Sequence, residues 1–346
     1  MKNLILHGSF HVDNFGDILL MQLYQRWIKE IRSDVNVIIP TLPDELSRYN
    51  LYQNEDVHLS VCHGAILCGG GYFGEPDSGI WKWGFKFVDR HYFKVRELIK
   101  YDIPYLINGV GFGPITNRIT RMCAYRILNE AESISVRDNE SLEFIKAYYG
   151  ENIDEIEVTA DSVISIAHSR VNLNDQDFAK VGLHLSGNIK ENSYNNLLNS
   201  IIEYFKLNNE YQILFIRDRV DAKDQIETYQ YLKEKLDIDQ IDYINPNKLI
   251  DNISTIGNII TSKLHVGILG ACKNSSVISF PKHNKTIRFY NQIGEADRCI
   301  YGNEINYNLI KSKLDKYLNK PIVIDENIIN SALHNKTMIE RFIENL

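Results

Sequence analysis

The sequence lacks any C-x-x-C pair and any uninterrupted apolar stretch of the ~18–20 residues needed to cross a bilayer. The first absence removes the common zinc and thiol-redox arrangements. The five cysteines, Cys62, Cys68, Cys123, Cys272 and Cys299, are scattered and odd in number, which reads as free thiols in a reducing compartment. The second absence removes a membrane helix. The opening MKNLILHGSF is too short an apolar run for a signal peptide and lacks the flanks of one, so the expectation is a cytoplasmic chain. Positive charge is not in excess either. With 38 Lys+Arg against 45 Asp+Glu the net charge is −7, which argues against a general nucleic-acid binder. A small anionic ligand is still allowed, because a few local cations suffice for one. Internal repeats and low-complexity segments are also missing.

What is present is a rhythm. At 346 residues the chain exceeds one ordinary core and suits two domains. Short aliphatic runs alternate with segments of helical period: strands at 3–6, 35–39, 65–67, 105–107 and 133–136 with helices at 17–31, 85–100, 117–130 and 141–149 between or after them. Such a βαβα order implies a parallel sheet with helices on both faces. The rhythm pauses in the polar stretch 169–180, then restarts with strands at 181–185, 211–216, 241–244, 258–260 and 277–280 and helices at 194–206, 224–236, 248–256 and 262–271. The expected fold class is therefore α/β, two Rossmann-like domains facing each other across a cleft. The domains are expected at 1–170 and 178–326, joined near 169–178, with a last helix at 327–346 able to pack back on either domain. Ligands in such domains meet the carboxyl ends of the strands.

Five segments there carry chemistry. Asn14-Phe15-Gly16-Asp17 links the first strand to the first helix; it fits a ligand-approach loop and equally a tight turn with Asp17 as N-cap. Gly69, Gly70 and Gly71 follow an apolar strand and can aim several N–H groups at an oxyanion, although a plain loop fits as well. After them Tyr72, Phe73, Trp81, Trp83, Phe85 and Phe87 crowd a short span, suiting sugar-ring stacking or core filling. Arg137-Asp138 ends a strand, so its guanidinium can grip a carboxylate or phosphate, or pair locally with Asp138 or Glu140. Asp161-Ser162 ends another and can touch ligand or cap a helix. Thr261-Ser262-Lys263-Leu264-His265 is the most informative. With Ser262 as N-cap, Lys263 and His265 fall in the first helical turn, where a cation opposes the helix dipole and so hints at a bound anion. His265 can exchange a proton near neutral pH. Lys282, Lys285 and Arg288 add cations near the same edge.

In order and spacing these segments resemble the polysaccharide pyruvyl transferase family: Asn14–Asp17, Gly69–Gly71, Ser135-Val136-Arg137-Asp138, Asp161-Ser162, and Ser262-Lys263-Leu264-His265 with its Gly267–Ala271 continuation. The set spans roughly residues 3–290. The family usually has Arg-Leu-His where this chain has Lys263-Leu264-His265, which keeps the charge but loses the bidentate fork. The resemblance implies a GT-B-like fold and transfer of a pyruvyl group from phosphoenolpyruvate to the hydroxyls of a cell-envelope glycan sugar, giving a cyclic ketal and phosphate. It implies no metal and no cofactor beyond that donor substrate. It also implies a glycan acceptor carried on a lipid diphosphate at the inner face of the cytoplasmic membrane, with peripheral membrane association. Under it, the catalytic residues are His265, Lys263 and Arg137; Asn14, Gly16, Asp17, Gly69, Gly70, Gly71, Asp161 and Lys285 bind substrate. The N-terminal half then takes the acceptor and the C-terminal half the donor. Two other readings remain open: a GT-B glycosyltransferase using a nucleotide sugar, and a non-catalytic glycan- or anion-binding protein.

Overall fold

A computed structural model describes residues 2–40, 42–52, 58–150, 153, 155–168, 176–281, 283–302 and 305–346. By packing, the chain divides into Met1–Ser165 with Glu326–Leu346, and Ile166–Asp325. The boundary expected at 169–178 lies mostly outside the described residues; the division falls just before it.

The first unit holds strands β1 (Asn3–His7), β2 (Asn36–Ile38), β3 (Gly64–Leu67), β4 (Gly70–Phe73), β5 (Tyr105–Phe112), β6 (Ser133–Val136) and β7 (Ile156–Val158). All pairings are parallel, in the order β2-β1-β3-β5-β6-β7, with β4 paired to β5. Helices α1 (Phe15–Ile31), α2 (Ile80–Phe87), α3 (Phe93–Lys100), α4 (Arg118–Asn129) and α5 (Asn139–Tyr149) cover it, with a π turn at Val88–Tyr92 joining α2 to α3. Every residue of β5 is buried, as expected of a parallel strand covered on both faces. One difference from the sequence reading is the glycine run. Gly70–Phe73 is a strand rather than a loop, because burial of Phe73 against Phe87 and Phe112 carries the segment alongside β5.

In the second unit the strands are β8 (Asp177–His184), β9 (Gln212–Ile216), β10 (Ile238–Ile241), β11 (Ile256–Thr261) and β12 (Ser276–Ser279). They are parallel in the order β10-β9-β8-β11-β12. Around them lie α6 (Asn192–Leu207), α7 (Lys223–Lys233), α8 (Pro246–Ser254), α9 (Leu264–Cys272), α10 (Asn284–Gln292) and α11 (Tyr307–Tyr317). Helix α6 shows the reason for the arrangement: Tyr194, Leu197, Leu198, Ile201, Ile202 and Phe205 recur at helical spacing and are all buried in the core with Val181, Leu183 and Phe215. The strand expected at 241–244 sits earlier, at β10, where Ile238 is buried while Ile244 is 63% exposed. Helices α10 and α11 occupy segments with no element expected.

The last helix, α12 (Glu326–Asn345), belongs to the first unit. It buries Met338, Ile339, Phe342 and Ile343, and a polar residue locks it. The fully buried Asn335 donates from Nδ2 to the Ala160 carbonyl (2.9 Å) and accepts from Ser135 Oγ (3.1 Å). Its own carbonyl accepts from Asn108 Nδ2 at 3.2 Å.

In each sheet the strand order reverses beside the first strand. β1 lies between β2 and β3, and β8 lies between β9 and β11. The carboxyl ends of those strands flank a crevice, the usual ligand position in an open parallel sheet. No described helix is long and apolar enough to cross a membrane.

Candidate active site

The first unit's crevice is framed by the loop after β1 and the glycines after β3. Asn14, not Asp17, caps α1: its Oδ1 accepts from Gly16 N (3.3 Å) while its Nδ2 donates to Asp17 Oδ2 (2.9 Å). That leaves the Asp17 carboxylate in the first turn, where it already complements the helix dipole. A negative group there disfavours a bound anion and favours a ligand hydroxyl. Gly70 adopts φ +129°, a region open to glycine, and a Cβ on it would lie 3.9 Å from Asp17 Oδ1. The structure thus brings Asn14, Gly16, Asp17 and Gly69–Gly71 together. Gly69 N donates to Tyr24 Oη at 3.2 Å, and that hydroxyl also reaches Asn108 Oδ1 (2.7 Å) and Ser162 Oγ (3.0 Å).

Beside this loop sits a histidine cluster that sequence reasoning missed. His7 ends β1 and His91 comes from the π turn; both are buried, with His7 Nε2 2.9 Å from His91 Nδ1. Tyr72 stacks on His91 with centroids 4.5 Å apart, and the His11 ring is 6.0 Å from it. Burial first, then the charges of His11 and Lys94, push His7 down to about 3. Burial, His7, His11 and Arg90 hold His91 well below its usual value. Both rings are therefore neutral at pH 7, and one proton bridges them. The only sequence signal was a histidine closing the first strand ahead of Gly8-Ser9.

Arg137 stands at the end of β6, where the sequence placed it, but it is buried. Its Nη1 is 2.8 Å from Asp161 Oδ2 and its Nε is 3.7 Å from Asp138 Oδ2. A Cβ on Gly111 would come within 2.8 Å of the guanidinium, so the Arg is packed as well as paired. Asp138 in turn caps α5 through Ser141 N at 2.7 Å. The close partner of Arg137 is thus Asp161, 24 residues away, and the neighbouring Asp138 stands farther off. Of the aromatic run, Phe73 and Phe87 fill the core, Tyr72 joins the histidines and Trp83 is half-buried, while Trp81 and Phe85 stand exposed.

The second unit's crevice lies where β8, β9 and β11 end. Lys263, rather than Ser262, takes the N-cap position of α9. The Ser262 hydroxyl instead accepts from Ser186 N (3.0 Å), tying β11 to β8. Lys263 N donates to Thr261 Oγ1 at 3.1 Å, so the strand's last residue orients the turn. The Lys263 side chain makes no cap, and the first turn of α9 contains no acid. Its Nζ instead contacts both oxygens of Asp218 at 2.8 Å.

Asp218, two residues beyond β9, is the second component that sequence reasoning missed. It is 2% exposed and also meets His184 Nε2 at 3.5 Å and Gln225 Nε2 at 2.6 Å. Burial alone would raise this carboxyl, but His184 and Lys263 outweigh it and hold it far below the carboxylate range. His184, last residue of β8, is held neutral by burial despite Asp218, with its Nδ1 2.8 Å from Thr261 Oγ1. Asp218 is thus a buried anion that holds Lys263 Nζ in place at the mouth of the crevice. His265 follows in the first turn of α9, half-buried. Lys285 is exposed in the first turn of α10, which packs on α9 where Tyr290 Oη would lie 3.2 Å from a Cβ on Gly267. Arg288 is buried and Lys282 lies outside the described residues. Among the described residues no group of three His, Cys, Asp or Glu could hold a metal.

Two parallel sheets with ligand crevices at their reversal points define a two-domain α/β protein of the GT-B-like type. Solved structures agree. The UDP-GlcNAc 2-epimerase of Methanocaldococcus jannaschii, in complex with UDP-GlcNAc and UDP, superposes with TM-score 0.61 at 13% identity over 100% of both chains. The enzyme of Neisseria meningitidis bound to UDP-GlcNAc gives 0.60 at 12% identity over 99% of this chain and 100% of that one. Staphylococcus aureus MnaA with UDP gives 0.62 at 9% identity over 100% and 98%. At such identities the likeness shows the fold alone. No curated protein sequence matches. The family is settled by sequence: residues 14–282 match polysaccharide pyruvyl transferase, and the chain belongs to that transferase family.

Proposed function

We propose that the protein transfers the pyruvyl group of phosphoenolpyruvate to two hydroxyls of a cell-envelope glycan sugar, forming a cyclic ketal and releasing phosphate, in the cytoplasm. The observation that carries this reading is the start of α9 at the second unit's crevice. It has a helix N-terminus without an acid or a capping side chain, a lysine fixed at its mouth, and a histidine in its first turn. Such a terminus suits an anion, and phosphoenolpyruvate offers a carboxylate and a phosphate. The acceptor would belong to the first unit, where Asp17, the glycines and two neutral imidazoles suit hydroxyls rather than anions.

In the proposed reaction a proton adds to the methylene carbon, positive character develops at C2, and the first sugar hydroxyl attacks there. Phosphate leaves, the C2–O bond to it breaks, and the second hydroxyl closes the ring. Of the two hydroxyl protons, one is balanced by the new methyl group and the other leaves with phosphate. His265 is assigned as the acid or the phosphate partner, Lys263 as the cation for the donor, and Lys285 as an outlying cation. Arg137, locked to Asp161, contributes by shaping the first unit's edge.

The test is turnover of phosphoenolpyruvate with glycan acceptors, read as phosphate release and as a pyruvate methyl signal in the product. His265→Ala should lower the rate by about 10²-fold or more while the protein stays folded. Turnover near the wild-type rate would remove His265 from the mechanism. Turnover of a nucleotide sugar without a ketal would replace the reading with glycosyl transfer.

A further inference from the structure

A second surface, on the first unit, has a composition opposite to that of the whole chain. Helices α2 to α4 with the intervening π turn carry nine Lys or Arg and two acids, in a protein whose net charge is −7. Helix α2 meets α4 where a Cβ on Gly84 would lie 2.8 Å from Thr120 Oγ1. On these two touching helices the large apolar side chains that point outward are Trp81 (70% exposed), Phe85 (74%), Ile119 (66%) and Met122 (60%). Trp81 and Phe85 are one turn apart on α2, and Ile119 and Met122 three residues apart on α4, so each pair shares a face. Lys82 and Lys86 flank the first pair; Arg118, Arg121 and Arg126 flank the second.

None of these five cations forms an ion pair among the described residues, whereas Lys313 and Lys316 elsewhere both bind Asp297. Next to Met122 opens a groove of about 480 Å³ lined by Arg118, Arg121 and Arg126 with Tyr125, Tyr148 and Tyr149. Arg121 lies over the Tyr148 ring at 5.0 Å and Arg126 donates to Tyr92 Oη at 3.2 Å, so two of the three guanidiniums are held in place.

We infer that this face docks on an anionic lipid bilayer. The rings of Trp81 and Phe85 are too open to enclose one sugar. Exposed aromatic and aliphatic side chains beside unpaired lysines match the interfacial layer of a membrane, where the rings enter and the ammonium groups stay at headgroup level. The tyrosine-lined arginine groove suits a lipid phosphate, since guanidinium binds that oxyanion bidentately. Charge decides between a neutral and an anionic leaflet: unpaired cations gain about 1 kcal/mol each near an anionic surface, roughly fivefold in affinity, and little near a zwitterionic one. This inference does not depend on the reaction proposed above, and its test needs neither donor nor acceptor.

The experiment is co-sedimentation of the full-length protein with phosphatidylcholine vesicles and with vesicles that also contain phosphatidylglycerol. Binding is expected only to the second, weakening as salt rises, with a blue shift of tryptophan emission that is absent in Trp81→Phe. Lys82→Gln and Arg118→Gln should each weaken binding about fivefold, and the double variant Trp81→Ala/Phe85→Ala more than tenfold. All four positions are exposed, and unchanged circular dichroism confirms that the variants fold. Equal binding to both vesicle types, no binding to either, or binding that the variants do not change would overturn the proposal. So would retention on a soluble polyanion without vesicle binding, or a concentration-dependent dimer abolished by the double variant, either of which would give the face a different occupant.

Discussion

Replacing Asp218 by Asn tests whether the second unit's crevice is held together as described. The substitution keeps shape and removes charge from a side chain that is 2% exposed and faced by three donors, Lys263 Nζ, Gln225 Nε2 and His184 Nε2. An amide offers one oxygen where the carboxylate offers two, and its NH₂ must point at a donor. Breaking a buried pair by deleting one partner costs about 3–5 kcal/mol. The Lys263 side chain is 30% exposed and can turn to water, so the lower end, about 3 kcal/mol, is expected. For a unit of this size that is a fall in Tm of about 6–12 °C. The assay is thermal and urea unfolding of wild type, Asp218→Asn, Lys263→Met and the double variant, with hydrogen exchange followed on β8, β9 and β11. The cycle should return a coupling of about 2 kcal/mol between the two positions, and protection should drop at the strand ends in the second unit. A loss below 1 kcal/mol, or additive effects, would refute a carboxylate that fixes Lys263.

Acid should weaken the protein before its carboxylates titrate. The folded pKa of His7 is lowered to about 3, and those of His91 and His184 are lowered too. Their stabilisation is complete above the unfolded value near 6.5 and is lost as pH falls below it. His7 alone accounts for about 2 kcal/mol between pH 7 and 5; urea midpoints at the two pH values should show this, and His7→Gln/His91→Gln should flatten the slope, an unchanged slope counting against it. Asn335→Ala should release α12, because Ala160 O and Ser135 Oγ lose a buried partner at a cost of about 2–3 kcal/mol. Faster proteolysis near Glu326 is the readout, and wild-type resistance would contradict it.

The strands and most helices could be read from the sequence because their signal is local. Ser133–Val136 is β6 residue for residue, since an aliphatic run between two amphipathic helices has one solution in a parallel sheet. The glycine run misled for the same reason. Its backbone permits a loop, and only the long-range packing of Phe73 on Phe112, 39 positions away in sequence, makes it β4. The α1 cap is Asn14 rather than Asp17 through local bonds to Gly16 N and Asp17, whereas the α9 cap moved from Ser262 to Lys263 because a tertiary partner, Ser186, holds the Ser262 hydroxyl. Cations at strand ends were legible, but their counter-ions were not. Asp218 is 45 residues from Lys263 and Asp161 is 24 from Arg137.

Those counter-ions separate two roles that the sequence left alike. Arg137 and Lys263 are both cations at the carboxyl edge of a parallel sheet. Arg137 meets two carboxylates, Asp161 at 2.8 Å and Asp138 at 3.7 Å, with its guanidinium buried and backed by Gly111. Lys263 meets one carboxylate, itself shared with a histidine and an amide, and part of the side chain faces outward beside the α9 N-terminus. The second unit's edge therefore carries a partly exposed ammonium beside a helix N-terminus, while at the first the Asp17 carboxylate and the neutral His7–His91 pair set the character. If the proposed reaction holds, this asymmetry is what directs a triply ionisable donor to one unit and uncharged hydroxyls to the other. It also explains how a lysine can stand where an arginine fork is usual: Asp218 supplies the fixed geometry that a flexible ammonium lacks.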